Sequence, residues 1–509
     1  MSEETVWSLV DRRAATTPEM VFAIDENDCA ITFREFRDEA IRAARSLKRD
    51  GIKTGMVVSW ILPSWIETLV LICALSRIGA IQNPIVPILR EREVGFIVRQ
   101  TRAQRLITPG LWREFDYAAM ARSLMASTPG LSAMTFGRRF DDAPEVSDAL
   151  STDGSAVRWY FYSSGTTSDP KGAKHTDRSL IASAWGMVDG LGLTDRDRLP
   201  IAFPVSHIGG AIYLIASMLS GCSLSMTEAF HPVGTLDQFG RQGITLGGPG
   251  APFLLAFIRR QRELGGTRLF PKARAFLSGG APKSPTLEAE VQETLGAPLL
   301  SCYGLTEAPM LTYNRVDDEA SVRAATEGRA TSGVDLALFV GDRRVPVGEE
   351  GEVRVKGTRV MCGYLDESLN ADTFDAAGYL RTGDLGRMDA QGNLTITGRI
   401  KEIIIRNMEN ISATEVEGLL HTHPQVRDVA VIGLPDVRTG ERVCAVIVPV
   451  AQDDVPTSEV LCQHLLQQGL SRRKTPEQFE YVAELPRNPM GKVLKAELKV
   501  RYGKPAAAA

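Results

Sequence analysis

The sequence predicts an α/β protein: a large N-terminal domain of stacked α/β subdomains with a small β unit, followed by a smaller α+β C-terminal domain. Three textures along the 509 residues carry that expectation. Strand-length apolar runs first alternate with helical patterns, short alternating strands with glycine turns follow Leu336, and a mixed α+β pattern begins near Glu415.

The first texture is clearest at MVVSWIL, AIQNPIV and RLIT, three strand-length runs separated by WIETLVLICALSRIGA and REREVGFIVRQT, which have helical length and spacing. This is the βαβ rhythm of a largely parallel sheet. It recurs between Arg198 and Arg274, where LPIAFP leads into IGGAIYLIASMLSG and GITLGG into PFLLAFIRRQRELGG. The second texture, LALFVGDRRVPVGEEGEVRVKG with GRMDAQGNLTITG, predicts an antiparallel β unit. The third combines helix TEVEGLLHTHP, strands VRDVAVIGLP and VCAVIVPV and helix SEVLCQHLLQQGL. Together they amount to one compact domain of about a hundred residues. The charged break within ITGRIKEIII sets the boundary, so the predicted domains are 1–398 and 399–509. A chain of this length is expected to divide in any case, because one hydrophobic core stops growing well below it.

Composition excludes several classes of function. An apolar fraction of 44% and a charged fraction of 24% are those of an ordinary globular protein. A net charge of -4 without a Lys/Arg stripe argues against nucleic acid as a partner. Seven cysteines with no CxxC pair point to reduced thiols and a cytoplasmic protein, not to a disulfide framework or a structural zinc. The N-terminal MSEETVWSLVDRR lacks the order of a secretory signal. Pro63, Glu67 and Arg77 interrupt the richest apolar stretch, Met56 to Ala80, so no membrane span is expected there. His421 and His423 in HTHP have metal-like spacing but no third ligand nearby, and are read as structural.

Strand VRWYFY runs into SSGTTSDPKG at 163–172, after which AKHT reads as a second strand and DRSLIASAWGMV as a helix. Serines, threonines and a glycine between two strands offer hydroxyl and N–H groups to phosphate oxygens, and Lys171 adds charge. This is not a Walker A loop: no GxxxxGK[ST] occurs, and Gly491-Lys492 is followed by Val493. Phosphate is therefore handled by another scheme.

With YSSGTTSDPKG at 162–172, SCYGLTEAP at 301–309, GYLRTGD at 378–384, GRIKEIII at 398–405 and PRNPMGKVLK at 486–495, the sequence resembles the adenylate-forming superfamily. That family comprises acyl- and aryl-CoA synthetases, peptide-synthetase adenylation domains and luciferases. Five motifs in order span nearly the whole chain, and the match is most like an acyl-CoA ligase. The resemblance implies ATP and magnesium as cofactors, coenzyme A as co-substrate, and a carboxylic acid as the group activated.

It also implies roles residue by residue. Ser163, Ser164, Gly165, Thr166, Thr167 and Lys171 match the phosphate loop. Glu307 matches the magnesium-binding acid and Thr306 its neighbouring phosphate contact; one or two carboxylates suffice, because Mg²⁺ keeps several waters. Lys492 matches the lysine that bridges the substrate carboxylate and the α-phosphate as charge develops. Asp384 matches the acid that accepts the ribose hydroxyls, and Arg399 a second ribose and phosphate contact. Gly280, Ala281 and Pro282, with Tyr303, match the walls of the adenine slot. His207, in FPVSHIGG, and Gly210 match the acyl pocket. The small domain is expected to rotate about a hinge at Lys401, exchanging one catalytic face for another between adenylation and thioester formation.

Two positions depart from the family pattern. Asn407-Met408 stands where many members have Gly-Gly, and Met408 adds a side chain at the pantetheine tunnel. Ser168 replaces a usual glycine in the phosphate loop. At this point the acyl acceptor stays open between coenzyme A and the phosphopantetheine of a carrier protein, and a non-catalytic nucleotide- or acyl-binding protein is the alternative of another class. Gly209, Gly210, Ala211 and GGPGAP at 247–252 predict a roomy pocket lined by AIYLIASML. No cation is available there for a second substrate charge, which favours an apolar acid: medium-chain, alicyclic, aromatic or a sterol side chain.

Overall fold

A computed structural model gives the fold. It describes residues 4–503 apart from 143, 145–152, 164–169, 249, 281–282, 284–285, 407–408, 437–438, 453 and 489–490. The first sheet has six strands in the order Lys171–Thr176, Val157–Ser163, Ile81–Pro84, Val57–Trp60, Arg105–Thr108 and Ser132–Thr135. Every neighbouring pair but the first is parallel. Parallel pairing needs a crossover, and helices Ile66–Ile78 and Glu91–Gln100 supply two of them. Ile66–Ile78 is apolar on nearly every side, so it is buried from Thr68 to Leu75, and it stops at Gly79, whose φ of 77° closes the last turn.

A second sheet runs Arg198–Ile201, Ser223–Met226, Val21–Ile24 and Ala30–Thr32, with only the last strand antiparallel. One continuous core joins it to the first sheet: Phe22, Trp60, Leu75, Trp159 and Leu214 all belong to it. A third sheet begins with the parallel strands Leu246–Gly247, Ala275–Ser278 and Leu299–Leu305, then turns antiparallel through Ala308–Tyr313 and Arg329–Ala330. The second texture of the sequence is a wholly antiparallel five-stranded sheet of Arg343–Arg344, Val334–Val340, Glu350–Gly357, Leu380–Met388 and Leu394–Arg399.

The small domain has cores of its own, one around Ile404, Val416, Val431 and Leu461 and another around Ile432, Val446 and Leu498. An independent core is what defines a separate domain. Its connection to the large domain is short. Arg399 ends the last strand of the antiparallel unit, Ile400–Glu402 form a single 3-10 turn, and Ile403 opens the first small-domain strand. The large domain's sheet thus reaches one residue past the boundary read from sequence, because Arg399 is paired in register with Asp384. Among the described residues no helix is long and apolar enough to cross a membrane.

Candidate active site

Strand Leu299–Leu305 and the turn after it form the spine of the site. Tyr303 on that strand donates from its hydroxyl to Asp384 Oδ2 at 2.7 Å, and Arg399 Nε donates to Asp384 Oδ1 at 2.6 Å. Asp384 is only 3% exposed, and its backbone N–H is held by Thr382 Oγ1 at 3.0 Å. Burial opposes the charge of Arg399, but the carboxylates of Asp384 and Glu402 outweigh it and raise its pKa. Burial, reinforced by the charge of Asp384, raises Tyr303 well above an ordinary phenol, so Tyr303 is a hydrogen-bond donor at any working pH. The residue expected in the adenine slot therefore also orients Asp384, the acid expected to hold the ribose.

Glu307 lies four residues along the same segment. Its Oε1 accepts from Ser163 Oγ at 3.1 Å and from the hydroxyl of Tyr364 at 2.7 Å, whereas Oε2 receives no hydrogen bond from a described residue. A carboxylate flanked by hydroxyls, with one oxygen uncommitted, is the hard-oxygen donor set that suits Mg²⁺. Thr306 is fixed from the other side: His175 Nε2 meets its carbonyl oxygen at 2.9 Å and Nδ1 meets Ser179 Oγ at 3.0 Å. A carbonyl only accepts, so the proton of His175 sits on Nε2, and burial lowers the ring to about 4, keeping it neutral.

The strand-to-strand reading of the phosphate loop holds at its described ends. Ser163 closes strand Val157–Ser163, Lys171 opens strand Lys171–Thr176, and the two residues are paired. The Lys171 ammonium lies 5.4 Å from the centroid of the Tyr364 ring. Ser164, Gly165, Thr166, Thr167, Ser168, Ala281, Pro282 and Met408 lie outside the described residues. Gly280 has a φ of 76° with open space where a side chain would go, so backbone conformation requires the glycine. Lys283, next along, donates to Ser301 Oγ, Arg323 O and Thr326 O, each at 2.6 Å, and ties this turn to the spine.

Lys492 comes from the small domain. Its backbone closes a turn with Asn488, and the ammonium meets no hydrogen-bond partner among the described residues. Its pKa is lowered, first by burial and then by repulsion from Arg399, against the pull of Glu402 and Asp384. Lys401 lies in the 3-10 turn between the two domains.

His207 caps helix Ile208–Ser220, its Nδ1 accepting from Gly209 N at 3.1 Å, and burial lowers its ring to about 4. One cavity adjoins both His207 and Thr306, and Pro84, Ile85, Val86, Leu89, Ile97 and Phe161 supply its apolar wall. This corrects the pocket read from sequence. Gly210 makes no room: a Cβ there would fall 2.2 Å from Val205 O. Gly247 and Gly248 are likewise filled positions, with Phe276 at 2.3 Å and Leu277 O at 2.4 Å. These glycines permit close packing, and Ala211 to Met218 are buried in the main core.

Sequence reading missed His175, Tyr364 and Lys283. Each acts through a partner distant in sequence, and nothing local in KGAKHT, CGYLDE or GGAPKSP marks it. His421 Nε2 is 3.9 Å from Asp428 Oδ1, and His423 packs edge-on against His464. Among the described residues no cluster of His, Cys, Asp and Glu could hold a metal.

A family model described as AMP-binding enzyme matches residues 10–365, and one described as AMP-binding enzyme C-terminal domain matches residues 415–492. The medium-chain fatty-acid–CoA ligase of Escherichia coli (strain K12) is 30% identical over 506 residues, 96% of this chain and 88% of that protein. The O-succinylbenzoate coenzyme A synthetase of Bacillus subtilis in complex with ATP and magnesium ion matches with a TM-score of 0.86 and 26% identity, over 97% of this chain and 99% of that one. The same synthetase in complex with the acyl-adenylate intermediate OSB-AMP gives a TM-score of 0.86 and 26% identity over 100% of both chains. This chain belongs to the AMP-binding enzyme family.

Proposed function

We propose that this chain activates an apolar monocarboxylic acid as its acyl adenylate, consuming MgATP, and passes the acyl group to coenzyme A. Acid–CoA ligation through an adenylate, forming a carbon–sulfur bond, is the reaction of this chain; a relative matched over nearly all of it is a fatty-acid–CoA ligase, and a structure of the same fold holds an acyl adenylate. The observation that carries the residue roles is convergence. Tyr303 and Arg399 hold Asp384 from two sides, and the strand that carries Tyr303 also leads to Glu307, while the charges of Arg399, Glu402 and Asp384 bear on the pKa of Lys492.

The chemistry asks these groups to bring two anions together, a carboxylate and the α-phosphate. Lys171 and the loop around Thr166 and Thr167 grip phosphate oxygens, and Glu307 with Thr306 takes the magnesium end. Magnesium, when bound, neutralises phosphate charge. Asp384 still has acceptor sites for ribose hydroxyls while holding Arg399 and Tyr303, because a carboxylate offers about four lone-pair sites. Lys492 stabilises the charge that develops between acid and α-phosphate. A rotation of the small domain about Lys401 then clears Lys492 away for the thiol.

The apolar wall around the His207–Thr306 cavity supports an apolar acid, and no Lys or Arg is among the described residues that line it, which speaks against a second substrate charge. Seven free cysteines support a reducing, cytoplasmic setting. The test is pyrophosphate release from MgATP across medium-chain, alicyclic, aromatic and sterol side-chain acids, with and without coenzyme A. Acid-dependent release that turns over only with coenzyme A is expected. Release with no acid dependence refutes the proposal, and indifference to coenzyme A transfers the second step to a carrier protein.

A further inference from the structure

We propose that Tyr364 is a positioning residue that sets the magnesium acid Glu307 and the phosphate-loop lysine Lys171 at a fixed separation, a role resting on the adenylation reading above. Tyr364 is 6% exposed and touches both with different parts of one side chain. Its hydroxyl donates to Glu307 Oε1 at 2.7 Å, and its ring lies 5.4 Å from the Lys171 ammonium. The two charges that would grip opposite ends of a metal–triphosphate are thus referred to a single rigid ring.

The backbone that carries that ring is hydrogen-bonded on both sides. Residues 362–365 run beside strand Lys171–Thr176: Cys362 N donates to Lys174 O at 2.8 Å, Lys174 N to Gly363 O at 2.9 Å, and Leu365 N to Gly172 O at 2.8 Å. Tyr364 N is held by Asn370 Oδ1 at 2.8 Å, and Met361 N donates to Glu307 O at 2.8 Å. The segment is therefore laced to the arm that leaves the phosphate loop and to the main chain of the magnesium acid. Gly363 takes a φ of 115°, which a side chain resists, and the chain turns there just before the buried Tyr364.

The hydrogen bond also fixes which oxygen of Glu307 is offered to a cation. Both donors, Ser163 and Tyr364, fall on Oε1, which leaves Oε2 as the ligand atom. Without the hydroxyl, the carboxylate rotates on Ser163 alone and divides its time between orientations.

The experiment uses Tyr364→Phe, which keeps the ring and its contact with Lys171 while removing the donor, and Tyr364→Leu, which removes both. Binding of Mn²⁺ is measured by electron paramagnetic resonance in the presence of α,β-methylene-ATP, together with affinity for the nucleotide in the absence of metal. For Tyr364→Phe the half-saturating Mn²⁺ rises about tenfold, as expected for loss of a hydrogen bond to a charged group, and metal-free nucleotide affinity is unchanged. For Tyr364→Leu both weaken. Thioester formation from supplied acyl-AMP proceeds as in the wild type for Tyr364→Phe, which excludes a general folding defect. Wild-type Mn²⁺ affinity in a folded Tyr364→Phe variant overturns the proposal, as does failure of the wild type to bind the Mn²⁺–nucleotide complex. If the shift in Mn²⁺ affinity is seen while no acid supports adenylation, the ligase reading falls and the assignment of Tyr364 stands.

Discussion

Two lysines three residues apart in the small domain are treated in opposite ways. Lys495 is held by Glu402 and Glu417, each at 2.8 Å, and their charges raise its pKa in spite of burial. Lys492 has no such partner among the described residues, and burial together with Arg399 lowers it. In the large domain Asp384 resembles the first case, its carboxylate paired with Arg399 and bound by Tyr303. The contrast separates groups whose charge is neutralised within the protein, and so hold a shape, from a group whose charge is kept for a ligand. Glu402 sits just after Lys401, so the saturated lysine also ties the end of the 3-10 turn between the domains to the small domain, while Arg399 ties its start to the large one.

The largest effect that tests this contrast is loss of the uncommitted lysine. Lys492→Ala is expected to lower acyl-AMP formation by at least 10²-fold, by analogy with removal of a comparable stabilising donor at roughly 3–4 kcal/mol. Thioester formation from supplied acyl-AMP is spared, and the thermal midpoint hardly moves because no internal bond is lost. Equal loss in both half-reactions, measured by single turnover, would break the division between the two lysines.

A group that holds shape behaves differently. Asp384→Asn removes the charge opposite Arg399 in a site only 3% exposed, so it raises the KM for ATP and also lowers stability by on the order of 2 kcal/mol. Denaturant unfolding followed beside steady-state kinetics checks both. A change in kinetics without a change in unfolding would place Asp384 with Lys492 and erase the distinction.

How much of this was legible in sequence follows from the same physics. Strand and helix positions were readable because βαβ units write their periodicity locally, and Val57–Trp60, Ile66–Ile78 and Ile81–Pro84 fall within the runs MVVSWIL, WIETLVLICALSRIGA and AIQNPIV. Asp384, Arg399 and Lys492 were readable through short ordered motifs. Tyr364 and His175 were not, because their partners lie 57 and 131 residues away and only tertiary folding introduces them. Gly210 was misread because a small residue has two uses, making room and permitting contact, and only the 2.2 Å approach to Val205 O tells them apart.

A smaller effect comes from the saturated side. Glu417→Gln leaves Lys495 with Glu402 alone and weakens the acceptor of the Val431 N–H, at 2.7 Å, so the small domain is expected to lose about 1–2 kcal/mol. Calorimetry should show this as an earlier transition of the small domain, with rates of both half-reactions near those of the wild type at low temperature. A selective loss of acyl-AMP formation instead would mean that Lys495 steers Lys492 and not only the hinge.

The smallest expected effect is a shift in pH dependence, and it sharpens the contrast without disturbing the fold. In its proposed role Lys492 works only while protonated, so adenylation is expected to fall as pH rises through its pKa. Burial and Arg399 set that pKa below the ordinary lysine value of 10.5. The alkaline limb of kcat/KM for ATP, which reports the free enzyme, should therefore fall short of 10.5, while thioester formation from supplied acyl-AMP lacks that limb. Lys492→Arg keeps the charge at all accessible pH values and should abolish the limb even if its own rate is lower, because a guanidinium does not deprotonate in this range. Lys495 gives the internal comparison. Its raised pKa predicts that nothing in either half-reaction titrates with it below the ordinary lysine value, so a limb that survives in Lys492→Arg would belong to another group and would remove Lys492 from its proposed place between the acid and the α-phosphate.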